Sequence, residues 1–157
     1  MKLTKELQEA VLLGNLSSTK SLIKNGCNVD GKDKYGRTII YDAITKGFQD
    51  IVLELCLAHT DINNQDKKGK TPLHFVSIYN QFEIAKILIQ FGADVNLKDE
   101  NGNSPIFDAI FNSKGNPEII ILLKENNADY LTPNNYGISP KELADSIANF
   151  NVAYVFS

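Results

Sequence analysis

Residues 67–99 read KKGKTPLHFVSIYNQFEIAKILIQFGADVNLKD, and this stretch decides the fold. Gly69 permits a tight turn through positive φ without steric cost. Thr71 is a helix N-cap, and Pro72 suits the first helical position, where no amide donor is needed. Leu73, Val76 and Ser77 recur at helical spacing and make a narrow face of small and apolar residues. A second helical run follows in Ile84, Ala85, Ile87, Leu88 and Ile89. Gly92 stops it as a left-handed cap. The segment GADVNLKDENG, 92–102, then turns the chain outward.

The same pattern recurs on both sides. Gly36, Gly69 and Gly102 are spaced by 33 residues, and Gly137 follows after 35. Thr38, Thr71, Ser104 and Ser139 each stand two residues after one of these glycines. Pro72, Pro105 and Pro140 follow three of the four caps, and Ala43, Val76, Ala109 and Ala144 keep the next small apolar position. Agreement at four kinds of position establishes an internal repeat.

With TPLH at 71–74 and GADVN at 92–96, the repeat resembles that of the ankyrin family, and its length matches. The resemblance implies an all-α solenoid of stacked helix-turn-helix units with protruding β-hairpin-like fingers. It divides residues 1–157, taken as one domain, into units at about 1–33, 34–66, 67–99, 100–134 and 135–157. The outer two are expected to act as caps, since an end unit lacks a neighbour on one side.

Departures from the pattern carry their own expectations. The first unit should place helices over Thr4–Leu13 and Ser17–Lys24. In the second, Ile39 replaces the proline, Tyr41 the histidine, and His59 stands where a left-handed glycine is usual. The fourth has two extra residues near Ser113–Asn116, expected to protrude as a loop, after which Pro117 starts a helix. The fifth should have one helix from Pro140 and a second ending with the chain, with Val152, Ala153, Val155 and Phe156 packed back on the fourth unit.

Apolar residues make up 43% of the chain, enough for a core, and the net charge is −3. A mildly acidic chain without a basic cluster argues against nucleic acid as a ligand. No apolar run is long enough for a membrane span. The start, MKLTKELQEAV, has no apolar signal core, so the expected compartment is the cytoplasm. Cys27 and Cys56 are too few for a disulfide framework and read as reduced, packed thiols.

Several chemical motifs fail on inspection. Gly31–Thr38, GKDKYGRT, has the spacing of a phosphate loop with arginine in place of its lysine, and Gly69-Lys70-Thr71 matches only the end of one. The same Gly-x-Thr/Ser recurs in four units, which the repeat explains. His59 and His74, the only histidines, form no zinc cluster with cysteines. His74 is expected to tie neighbouring turns through backbone hydrogen bonds. Asp94, Asn96, Asp99 and Asn101 lack the order of a calcium loop and read as turn-formers. No catalytic, cofactor or metal site is expected.

What does not repeat points to binding. The resemblance implies that freely varying positions face a concave groove. Here they are Lys34, Tyr35, Arg37, Thr45 and Lys46; Lys67, Lys68, Lys70, Ile78 and Tyr79; and Glu100, Asn101, Asn103, Phe111 and Asn112. Asp42, Phe75 and Asp108 border the groove, and Leu12 and Leu13 join from the first unit. Aromatic and apolar side chains ringed by charge are how protein-binding hot spots are built. The partner-binding set expected is Lys34, Tyr35, Arg37, Asp42, Lys46, Lys68, Lys70, Phe75, Ile78, Tyr79, Asp108, Phe111 and Asn112, with basic fingers and an acidic groove floor.

The expected function is therefore non-enzymatic: a monomer that binds and blocks or sequesters another protein. Small free-standing bacterial ankyrin proteins similar to this one act as immunity proteins that occlude a toxin, which the resemblance implies as the specific role. The alternative is an adaptor bridging two proteins, with Leu53, Leu57 and Ile121 as a second patch on the convex side. A nucleotide-binding or enzymatic role using Arg37 and Lys70 is the remote third.

Overall fold

The computed structural model describes residues 4–147 and 152–157. Among these, nine α-helices run in order: α1 (Lys5–Leu12), α2 (Leu16–Lys24), α3 (Ile39–Lys46), α4 (Gln49–Leu57), α5 (Pro72–Ile78), α6 (Phe82–Gln90), α7 (Pro105–Asn112), α8 (Glu118–Glu125) and α9 (Pro140–Ser146). A 3-10 turn over Ala153–Phe156 follows. The odd-numbered helices α1, α3, α5, α7 and α9 pack in sequence as one layer, and α2, α4, α6 and α8 as a second. Each of the first four odd helices also packs on the even helix that follows it. The expected all-α solenoid is what forms.

Among the described residues no helix exceeds nine residues, too short to be stable alone. Stability must come from stacking. Leu7 and Val11, Ile40 and Ile44, Leu73 and Val76, and Ile106 and Ile110 are fully buried along the first layer. Val52, Leu55, Ala85, Leu88, Ile120 and Leu123 are equally buried along the second. Burial of each valine, leucine or isoleucine among them contributes about 1.5–3 kcal/mol.

The caps form where the sequence places them, but not all in the same way. Thr38, Thr71, Ser104 and Ser139 all take extended N-cap backbone. Only Thr71 and Ser139 complete reciprocal capping boxes, with His74 and Glu142 respectively. Thr38 Oγ1 is buried without a partner. His59 is left-handed at φ 57°, and Asn127 repeats that conformation at φ 64°.

Elsewhere the boundaries shift slightly. Helix α1 is one residue shorter at each end than expected, because Thr4 and Leu13 are its caps, and α2 begins at Leu16. Pro117 stands just before α8 rather than inside it. The two-residue insertion protrudes, with Lys114 and Gly115 exposed in left-handed conformations. The second helix expected in the last unit is replaced, within the described residues, by the single 3-10 turn; its residues 148–151 lie outside them. That turn still packs back as expected. Val152, Val155 and Phe156 are buried, the Phe156 ring lies 4.9 Å from that of Tyr130, and Lys124 Nζ donates to Val155 O.

Candidate functional site: the open face and its fingers

Between one helix pair and the next the chain projects as a short finger, and four fingers share one geometry. The backbone N–H of Asp33, Asp66, Asp99 and Asn134 donates to the carbonyl four residues on, at 2.9 Å in each case. The side-chain Oδ1 of the same four residues accepts from the N–H groups two and four residues on, at 2.7–3.1 Å. Each aspartate or asparagine thus holds its own turn closed. Gly69 sits at φ 74°, with Asp99 Cα only 3.0 Å from where a Cβ would be. The glycine is what lets adjacent fingers touch.

The junctions are then tied by side chains. His74 Nδ1 accepts from Thr71 N–H at 3.0 Å, so its proton is on Nε2, which donates to Asn103 O at 3.0 Å. Burial pushes the His74 pKa down to about 4, so the ring is neutral. Both ties expected of His74 are present. Tyr41 takes the same place one unit earlier: its hydroxyl donates to Lys70 O at 2.9 Å. Asn63 and Asn96 each bridge to the next helix stop, contacting Gly92 and Asp94, and Asn127 and Asp129.

The groove residues divide into those engaged within the chain and those left outward. Lys70 Nζ lies 2.7 Å from Asp108 Oδ2 and 2.9 Å from Asp99 Oδ2. Burial opposes the Lys70 charge, but the two carboxylates outweigh it and hold its pKa above the ordinary value. Burial also raises Asp108, against the pull of Lys70. Arg37 Nε meets Asp66 Oδ2 at 3.1 Å, while its guanidinium covers the Phe75 ring at 4.7 Å and faces Tyr35 at 5.4 Å. Phe75 is buried, edge-on to Tyr41 at 5.1 Å. Arg37, Lys70, Phe75 and Asp108 therefore form the frame of the groove, and the free basic edge expected at Lys70 is neutralised.

Asp42 differs from its counterpart Asp108. Among the described residues no cation pairs with it; Gln8 Nε2 donates at 3.3 Å. Burial raises its pKa above the usual carboxylate range. Asn112 is half-buried and bonds Asp108 O through Nδ2 at 2.8 Å. Ile78 is half-buried. Lys34, Lys46 and Lys68 are exposed, and Lys34 Nζ lies 4.9 Å from the Tyr35 ring.

The outward set is largely apolar. Leu12 and Leu13 end α1, Ile78 and Tyr79 end α5, and Phe111 lies in the last turn of α7. Phe111 is 68% exposed and Leu13 73%, with Tyr35 and Tyr79 near half. Leu12, Ile78 and Phe111 stand at corresponding points of α1, α5 and α7, with Leu13 and Tyr79 one residue on, while α3 carries Thr45 and Lys46 there. Among the described residues no His, Cys, Asp and Glu side chains group as metal ligands, and no helix is long and apolar enough to cross a membrane. Cys27 and Cys56 are free thiols; burial raises Cys56 to about 11, away from reactivity.

A family model for ankyrin repeats, three copies, matches residues 6–66 and 51–134. The chain belongs to the ankyrin-repeat family. No curated protein matches it significantly. Ankyrin repeats are protein–protein interaction modules, and the fold is a non-enzymatic one. Within that ankyrin frame, sequence reasoning missed the aspartates Asp66 and Asp99 as partners of Arg37 and Lys70. Their signal was present: Asp33, Asp66 and Asp99 repeat every 33 residues, three before each glycine. It also missed the exposed, uncharged last finger, where Leu131, Tyr136 and Ile138 lie open.

Proposed function

We propose that the chain is a non-enzymatic, monomeric cytoplasmic protein that binds another protein across the open face of its first-helix layer. The observation that carries this is the apolar set Leu12, Leu13, Tyr79 and Phe111, exposed where folding needs none of it, with half-buried Ile78 beside Tyr79. Tyr35, Lys34, Lys46 and Lys68 surround that set with an aromatic and with positive charge. Asp42, half-buried and paired with no cation among the described residues, suits a basic side chain of the partner. The remaining residues of the set, Arg37, Lys70, Phe75, Asp108 and Asn112, support the surface from beneath. The domain spans residues 1–157 as five units, the outer two acting as caps. Binding is itself the output: the partner's own surface is occluded, as an immunity protein occludes a toxin.

An adaptor role is the second reading. It rests on Leu53, Leu57 and Ile121, 37%, 54% and 37% exposed on the outer layer. The corresponding positions on α6 are Lys86 and Gln90, which interrupt the patch.

The test is Tyr35→Ala/Tyr79→Ala/Phe111→Ala, used as bait beside the unaltered chain in a pull-down from the native host. The variant should lose the captured partner while helical content and melting are unchanged. A growth assay co-expressing that partner then separates neutralisation from bridging. Equal capture by both baits moves the interface off this face.

A further inference from the structure

The three finger junctions share one backbone bond. Lys67 N–H donates to Tyr35 O at 2.8 Å, Glu100 N–H to Lys68 O at 2.9 Å, and Asn135 N–H to Asn101 O at 3.0 Å. In that register the fourth acceptor is Tyr136 O, and among the described residues no donor reaches it. The side-chain register is open at the same place. Arg37 meets Asp66, Lys70 meets Asp99, and Asn103 Oδ1 accepts from Asn134 Nδ2. The fourth position in that series is Ile138, 42% exposed.

This edge is unlike the other fingers and unlike the helix beside it. Residues 130–138, YLTPNNYGI, carry no charge, whereas KDKYGR at 32–37, DKKGK at 66–70 and KDENG at 98–102 are dense with it. Leu131 and Tyr136 are 64% and 71% exposed. The outer side of α9 is polar, with Glu142, Asp145 and Ser146 exposed, as the end of a repeat array should be. An open backbone acceptor flanked by uncovered apolar side chains is a template for an added extended segment.

A second copy of the chain does not fit there. Its donor in this register is Lys34 N–H, which would set the Asp33 carboxylate against Ile138 and desolvate it without a cation. Its α1–α2 pair, which packs on α3 and α4, would also fall in the space held by α9.

We propose that the edge of the last finger, Leu131 with Tyr136–Ile138, takes an extended, uncharged segment of a partner protein. A backbone N–H of that segment donates to Tyr136 O, continuing the junction register. An apolar side chain of the segment covers Ile138 and Leu131. This surface is separate from the first-helix face and stands whether or not that face binds.

The experiment selects peptides from a displayed random library on the immobilised intact chain. It then maps the winners by amide chemical shifts of the 15N-labelled protein. Supporting peptides are uncharged over their core and shift residues 131 and 136–138. They lose at least ten-fold in affinity for Ile138→Lys and none for Phe111→Ala. N-methylation at one peptide position abolishes their binding, because that N–H is the donor. Ile138 is exposed, so the variant should fold, which far-UV circular dichroism checks. The proposal is overturned if no peptide is selected, or if the winners shift Tyr79 and Phe111 instead. It is also overturned if they bind Ile138→Lys equally or if no N-methyl position matters.

Discussion

Tyr41 and His74 occupy corresponding places in successive units and make the same bond with different atoms. The phenol of Tyr41 donates to Lys70 O at 2.9 Å, and the imidazole of His74 to Asn103 O at 3.0 Å. The two acceptors are themselves 33 residues apart. The single hydroxyl proton of Tyr41 is shared with Asn64 O, 2.5 Å away. Tyr41→Phe keeps the ring and removes the hydroxyl, leaving the buried Asn64 O unpaired while Lys70 O keeps the Asp66 N–H. The expected loss is about 1–3 kcal/mol in urea unfolding, and a midpoint equal to the unaltered chain would show that water replaces the hydroxyl.

His74 makes stability depend on pH. Its folded pKa is held down to about 4 against an unfolded value of 6.5. The unfolded chain therefore takes up the proton first as pH falls. The stabilisation is fully present above about pH 6.5 and is lost as pH drops toward 4. Protonation of Nδ1 would also remove the acceptor for Thr71 N–H. The difference in urea stability between the chain and His74→Gln should shrink by about 3 kcal/mol from pH 7 to pH 4. A pH-independent difference would mean the imidazole is not buried in its neutral form.

Two glycines separate backbone strain from crowding. Gly92 is left-handed at φ 91° with open space around it, whereas Gly69 also has Glu100 N and Asp99 Cα 3.0 Å from any added Cβ. Gly92→Ala should cost about 1–2 kcal/mol, the price of the conformation alone. Gly69→Ala should cost clearly more, since two finger backbones must separate. Equal midpoints for the two variants would show that the fingers are not in contact in solution.

The Lys70 cluster should behave as a buried ion pair. Lys70→Met leaves Asp99 and Asp108 facing one another without a cation. A loss of about 3 kcal/mol is expected, at the lower end for buried pairs because Lys70 retains 20% exposure. Asp108→Leu in the same chain should restore part of it, by removing one of the two stranded carboxylates. Denaturant unfolding of the two variants reads this directly, and an additive double variant would contradict the pairing.

The repeat was legible because its punctuation is chemical. Gly36, Gly69, Gly102 and Gly137, with a threonine or serine two residues on, mark turn and helix start whatever surrounds them. Exact ends were less so: Thr4 and Leu13 read as helical because apolar spacing does not distinguish a last turn from a cap. The second helix expected in the final unit failed for a similar reason, since the apolar run Val152–Phe156 packs equally well as a 3-10 turn. In the groove, Tyr79 and Phe111 are exposed as read, because their positions on the helix determine it. Lys70 is not free, because its partner Asp108 lies 38 residues away and meets it only through stacking. The last finger passed unnoticed because Tyr136 and Ile138 look like ordinary loop residues until the junction register is known.

Asn96 reaches forward to Asn127 and Asp129, but Leu131, which holds the place of Asn63 and Asn96 one unit later, has no polar side-chain group to reach forward with. Asp129, at the place of Asp61 and Asp94, closes its own turn: the Thr132 side chain first, then Leu131 and Thr132 N–H at 2.9 and 3.1 Å, bond its carboxylate and hold its pKa below the usual range. The Leu131 side chain can neither donate nor accept, whereas the amides of Asn63 and Asn96 have a donor to give and an acceptor to offer. The series therefore carries its own stop mark, written as one amide-to-alkyl difference. Lengthening the array by a whole unit at this point would call for Leu131→Asn as well as the inserted sequence.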